Sequence, residues 1–134
     1  MKVTGGCHCG AIRYEAEVDP STTGVCHCTD CQKFSGSAFR SGVNAAAKDF
    51  RLLAGVPRMY VKTAESGAKR AQAFCAECGT HIYATSTDPS PTLLRIRTAT
   101  TDQAAALVPK MQIWTRSALP WVAGLNALPG RAMQ

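Results

Sequence analysis

A chain of 134 residues that is 46% apolar and 18% charged has the size and composition of one compact domain, which excludes a disordered tail and a two-domain enzyme. At this length about two thirds of the unfolded surface is buried on folding, so the core needs no disulfide staples, and no apolar run approaches the roughly 20 residues of a membrane helix. The net charge of +6 arises from 15 Lys and Arg against 9 Asp and Glu; these basic residues are scattered singly between Lys2 and Arg131, with Lys69 and Arg70 the one adjacent pair, which argues against a nucleic-acid surface.

The start, MKVTGG, carries no apolar leader, and a cytoplasmic location is the expectation. Ile12, Tyr14 and Ala16 then alternate with Arg13, Glu15 and Glu17 in the two-residue period of a half-buried strand. A short helical turn is expected from a Thr29 or Asp30 cap to Gly36. Further strands follow at Ala38 to Val43, Phe50 to Leu53, Arg58 to Lys62, Gln72 to Cys75, His81 to Ala84, Leu93 to Arg97 and Met111 to Thr115, punctuated by Gly, Pro, Ser, Asp and Asn. A second helical turn is expected from an Asp102 cap to Leu107, ahead of Pro109. Residues Asn126 to Gln134 read as a fraying tail. The rhythm is mainly β, in a single domain over 1–134.

Chemistry is concentrated in seven cysteines. Their odd count and the expected reducing compartment oppose disulfide pairing, whereas their spacing suits a metal. Cys7 and Cys9 form Cys-x-Cys, whose i and i+2 side chains point the same way in extended backbone. Cys26, Cys28 and Cys31 form Cys-x-Cys-x-x-Cys. Cys75 and Cys78 form Cys-x-x-Cys followed by Gly79, which is free to take the positive φ of a tight turn. A closed structural zinc takes four protein ligands and a catalytic zinc takes three. The local triplet Cys26, Cys28 and Cys31 is therefore assigned to an open, catalytic zinc, and Cys7, Cys9, Cys75 and Cys78 to a structural one. Iron also fits a four-cysteine site, but nothing else in the sequence suggests electron transfer. A histidine could close the open site and leave both clusters structural; of the three candidates, His8 and His27 sit between paired cysteines and point away from the ion, and His81 follows Cys78 by three residues.

Around the triplet, the helix start, Lys33 and Arg40 favour a thiolate at Cys31. The stretch Phe34-Ser35-Gly36-Ser37-Ala38-Phe39 offers hydroxyls and two aromatic walls for a small ligand, although core packing is the favoured role for both phenylalanines and turn or capping roles suit Ser35 and Ser37 equally well. With two divalent ions and seven thiolates bound, the metal sites contribute three negative charges, and the net charge falls to about +3.

Taken together, GGCHCGAIRYEA, CHCTDCQKFSGSAF, FCAECGTHIY and MQIWTRSALPW resemble the glutathione-dependent formaldehyde-activating enzyme (GFA) family, which includes relatives of centromere protein V. The resemblance covers a core of residues 5 to about 121, leaving 122–134 as a C-terminal tail. It implies a zinc-bound β-tent of short antiparallel strands, with a structural zinc on Cys7, Cys9, Cys75 and Cys78 and a catalytic zinc on Cys26, Cys28 and Cys31. It also implies a carbon-sulfur lyase that adds the thiol of glutathione to formaldehyde, giving S-hydroxymethylglutathione. Lys33, Arg40, Arg95 and Arg97 are then candidates for holding peptide carboxylates. The other class to be weighed is a non-catalytic, zinc-stabilised interaction module, since no general base is evident near the triplet.

Overall fold

The computed structural model of the chain describes residues 1–133. Its strands are β1 (Lys2–Gly6), β2 (Arg13–Cys26), β3 (Arg40–Ala54), β4 (Arg58–Thr63), β5 (Lys69–Phe74), β6 (His81–Ser86), β7 (Leu93–Ile96) and β8 (Met111–Ile113), with helix α1 (Thr29–Ser35) between β2 and β3. They build one eight-stranded sheet in the order β1-β2-β3-β7-β6-β5-β4, with β8 attached to β2 outside that path. Neighbours along the path are antiparallel. The mainly β, antiparallel expectation therefore holds, except that β8 runs parallel to the end of β2, where Gly24, Val25 and Cys26 pair with Met111, Gln112 and Ile113. No helix among the described residues is long and apolar enough to cross a membrane.

Alternation along the strands sets the core. Tyr14, Ala16 and Val18 of β2 face inward, and Val43 and Ala45 of β3, Ile82 of β6, and Leu94 and Ile96 of β7 meet them there with Val3 and Leu107. Phe50 stacks on Tyr14 at 5.2 Å and meets Tyr83 edge-on at 5.2 Å. Ile82 is fully buried, so Ile82→Ala is expected to cost about 2–5 kcal/mol of stability through lost transfer energy and a residual cavity, read as a lower denaturant midpoint at unchanged slope.

Several element boundaries differ from the sequence reading. The two strands expected at Ala38 to Val43 and Phe50 to Leu53 are one continuous strand, β3: its antiparallel partner β2 pairs with both ends, and where the β2 register shifts at Ala16/Val18 the alanines are carried by β7, with Ala45 opposite Leu94, Ala46 opposite Leu93 and the Ala47 N–H donating to Thr92 O. Strand β8 stops at Ile113 because Trp114 takes a left-handed φ of 57°. Cys28, not Thr29 or Asp30, caps α1, its sulfur accepting the Cys31 N–H; Asp30 instead pairs with Lys62. Asp102 likewise leaves its expected capping role to Gln103, because Asp102 is drawn to Arg13 at 2.7 Å and to the Thr4 hydroxyl at 2.5 Å. The Arg13 guanidinium holds its carboxyl below the usual range. A 3-10 segment, Pro120–Ala127, occupies the start of the expected tail, and Gln134 lies outside the described residues.

Candidate metal centres and the arginine-lined cleft

Two loops build the first cysteine cluster. After β1 the chain turns so that Gly10 donates to Cys7 O at 3.1 Å, and after β5 a matching turn has Gly79 donating to Cys75 O at 2.9 Å. Gly10 (φ 79°) and Gly79 (φ 73°) both occupy the left-handed region, which a Cβ would oppose. The His8 N–H bridges the loops by donating to Thr80 Oγ1 at 3.2 Å. The sulfurs of Cys7, Cys9, Cys75 and Cys78 thereby all lie within 4.8 Å of one another. Cys7 to Cys9 is 3.5 Å and Cys9 to Cys75 is 3.8 Å, close to the edge of about 3.8 Å of a tetrahedron with 2.3 Å metal–sulfur bonds. This cluster fits a tetrahedral zinc. The Thr80 hydroxyl and backbone N–H donate to Cys78 and hold its thiol near a pKa of about 5.

The second cluster, Cys26, Cys28 and Cys31, also gathers its sulfurs within 4.8 Å. Cys26 closes β2, Cys28 caps α1, and Cys31 lies one turn into the helix. Hydrogen bonding from the Cys26 thiol brings Cys31 down to a pKa of about 5; burial opposes this, and Arg40 and Arg97 reinforce it. Cys26 is correspondingly pushed up. No histidine joins either cluster among the described residues. His8 is exposed, and His27 is buried with its Nε2 2.9 Å from Gln112 Oε1.

Strand register explains why arginines surround the triplet. Arg40 is the direct cross-strand partner of Cys26, so the two side chains leave the same face of the sheet about 5 Å apart at Cβ. Val43 and Ile96 pair on the opposite, core face, which assigns Arg95 and Arg97 by alternation to the face of Arg40. Gln72, aligned with Ala84 and through it with Arg95, shares that face. The Gln72 Oε1 accepts from Arg40 Nη1 at 3.1 Å and from Arg97 Nη2 at 3.2 Å. Burial, with Arg40 nearby, lowers the Arg97 pKa to about 9. Gln72→Leu leaves two neighbouring guanidiniums without their shared acceptor and is expected to destabilise the fold by about 2 kcal/mol, measured by equilibrium urea unfolding.

Beside this cluster lies a cleft of about 300 Å³ whose walls include Phe34, Phe39, Arg40, Thr80, His81 and Arg97. The two phenylalanines therefore stand at a cavity while remaining partly buried. His81 packs against Phe34 at 5.3 Å and Phe74 at 5.8 Å; burial, with Arg40 and Arg97, depresses its pKa and keeps the ring neutral near pH 7. Of the groups lining this cleft, His81 alone belongs to a residue type that titrates near neutrality. Sequence reasoning assigned His81 no proton-carrying role, and the available signal was its alternation with buried Ile82. Of the four basic candidates, Arg40 and Arg97 line the cleft, Lys33 is exposed away from it, and Arg95 is engaged by Thr22 O, Gly24 O and Asn44 Oδ1. A second depression, of about 350 Å³, exposes Cys28 beside Thr29, Asp30, Lys62, Glu65 and Trp114. Its charges are already matched, Asp30 with Lys62 and Glu65 with Arg116.

A crystal structure of a Rhodobacter sphaeroides protein is similar over 77% of this chain and 89% of its own, with a TM-score of 0.58 at 22% sequence identity, which establishes a shared fold. The family model described as "Glutathione-dependent formaldehyde-activating enzyme" matches residues 2–117, a span that holds both cysteine clusters and the arginine-lined cleft, and the chain belongs to that family.

Proposed function

We propose that the protein is a zinc-dependent carbon-sulfur lyase that joins a thiol, glutathione by the family's name, to formaldehyde. The observation that carries this reading is the asymmetry of the clusters: four sulfurs tie two loops together, while three sit at the edge of an arginine-lined face. Cys7, Cys9, Cys75 and Cys78 would hold a structural zinc, and Cys26, Cys28 and Cys31 a catalytic one. At the three-cysteine site the ion would supply Lewis acidity, lowering the proton affinity of a thiol and polarising a carbonyl oxygen.

The chain's own residues supply the remainder. Arg40 and Arg97 raise the positive potential where a thiolate would sit and favour its ionised form. Phe34 and Phe39 wall the cleft against bulk water. The neutral His81 ring is the group there able to take up a proton and return it to the developing alkoxide. In the overall change the carbon–sulfur bond forms, the carbonyl π bond is converted to a hydroxyl, and the proton passes from sulfur to oxygen with no change of oxidation state.

The deciding experiment mixes zinc-loaded protein with glutathione and formaldehyde and follows S-hydroxymethylglutathione formation by exchange-resolved proton NMR. Acceleration proportional to protein concentration is expected. Exchange no faster than the uncatalysed reaction, together with retained zinc, would favour the non-catalytic interaction module instead.

A further inference from the structure

His27 separates Cys26 from Cys28 in the three-cysteine cluster, and its polar atoms are held from two directions. Its N–H donates to Ile113 O at 3.1 Å. Its ring Nε2 lies 2.9 Å from Gln112 Oε1 and carries the proton of that hydrogen bond, since an amide oxygen only accepts. Its carbonyl accepts from Gln32 Nε2 at 2.7 Å, and the same amide group donates to Ser117 O at 2.9 Å. Gln32 directly follows Cys31. One side chain therefore ties together the helix that carries Cys31, the loop that carries Cys26 and Cys28, and the C-terminal segment 111–117. The His27 ring is only 2% exposed and meets Phe39 edge-on at 5.6 Å.

Segment 111–117 crosses the cluster as a strap. Strand β8 pairs with the end of β2, which sets Ile113 opposite Cys26, and the Lys110 N–H donates to Thr23 O at 2.7 Å just ahead of it. Core packing does not explain the attachment, because residues 111–116 are exposed and Ser117 is only half-buried. The strap is held instead by hydrogen bonds that converge on His27 and Gln32. Between its two anchor points, Ile113 O and Ser117 O, Trp114 takes its left-handed φ of 57°. A bulky aromatic residue is strained in that region and stays there where the surroundings over-determine the backbone. The strained residue thus falls between the two carbonyls through which the strap is tied to the ligand loop and helix.

We propose that Gln32 and Gln112 are positioning residues for the three-cysteine site, and that the strap they engage is a working part of that site. Together they fix the peptide and the ring of His27, and with them the directions in which the flanking Cys26 and Cys28 side chains leave the backbone relative to Cys31. Hydrogen-bonding partners of this kind orient ligands and strengthen metal binding, and an arrangement carried by the protein leaves less ordering for ion binding to supply. The proposal rests on the reading that Cys26, Cys28 and Cys31 hold zinc.

Competitive chelator titration of the zinc-loaded full chain tests it, with Cys31→Ser marking which zinc belongs to the triplet. Gln32→Met keeps the length of the side chain but removes both N–H donors, and Gln112→Met removes the acceptor for the His27 ring. In each variant the chelator concentration that strips the triplet zinc should fall at least about tenfold, while the four-cysteine zinc is held as in the native protein. Ile82→Ala weakens the core without removing any of these hydrogen bonds and should leave the triplet zinc as tightly bound as before. Native affinity in both glutamine variants, or an equal loss in Ile82→Ala, would overturn the proposal. If Gln32→Met fails to fold, Gln112→Met decides alone. If the native protein holds a single zinc, the metal reading fails and amide hydrogen exchange decides. The His27 and Cys31 amides, which donate to Ile113 O and Cys28 Sγ, should then exchange at least about tenfold faster in Gln32→Met. The Arg97 amide, bound to Ile82 O, should keep its rate. Unchanged exchange at His27 and Cys31 would refute the positioning role.

Discussion

Cys31→Ser is expected to yield a folded protein that holds one zinc per chain instead of two and has lost thiol–aldehyde turnover. The triplet is local, spanning the end of β2 and the first turn of α1, so its loss leaves the sheet's long-range pairings intact. The Cys28 sulfur still caps the helix through the backbone N–H of residue 31, which the substitution retains. A serine hydroxyl is a far poorer zinc ligand than a thiolate, and removing a ligand should weaken binding by more than the roughly 10–100-fold cost of disturbing a ligand's outer hydrogen-bonding partner. Metal analysis, far-UV circular dichroism and the NMR exchange assay on the same sample check all three outcomes. Full turnover in a one-zinc variant would remove Cys31 from the mechanism.

Cys78→Ser should behave in the opposite way and unfold the protein. The loops that present Cys7, Cys9, Cys75 and Cys78 carry few hydrogen bonds between them, such as that from His8 to Thr80, yet they join strands that are remote in the sheet order. Structural zinc in small domains is worth about 10–16 kcal/mol at neutral pH, comparable to the entire stability of a domain this size, about 5–15 kcal/mol. The variant, or the native protein treated with a strong chelator, should lose its cooperative thermal transition and its strand signal at ambient temperature. Re-addition of zinc should restore the native protein but not the variant. A chelated protein that keeps its native melting temperature would show that the sheet does not depend on metal.

The cysteine clusters were legible because metal ligation writes itself into short spacings: each pair or triplet is nearly contiguous, and the topology needed only to bring two of them together. Strand character was legible wherever side chains alternate, as at Tyr14 and Ala16. It was not legible across the alanines of β3, whose local propensity says little and whose conformation is imposed by the neighbouring strand β7, remote in sequence. Strand β1 was absent from the expected strands because Gly5 and Gly6 have no side chains to alternate, although Gly5 pairs with Tyr14 there. The cationic character of the cleft was equally hidden. Lys33, Arg40, Arg95 and Arg97 are indistinguishable as letters, and only strand register and the buried amide of Gln72 separate the two that reach the cavity from the one bound to backbone and the one in solvent.

The span between Cys9 and Cys75, 66 residues, also sets a timetable for the chain during its synthesis. At roughly 5–20 residues per second, Cys7 and Cys9 leave the ribosome about 3–13 s before their partners have been made. The triplet is complete within six residues and can meet a metal ion as soon as it emerges. With zinc at both sites as proposed, the two centres would load in the reverse of their order along the chain. The first pair of thiols synthesised is the longest exposed to oxidants before anything can cap it, so a cell short of zinc or of reducing capacity would lose this fold at its N-terminal loop first.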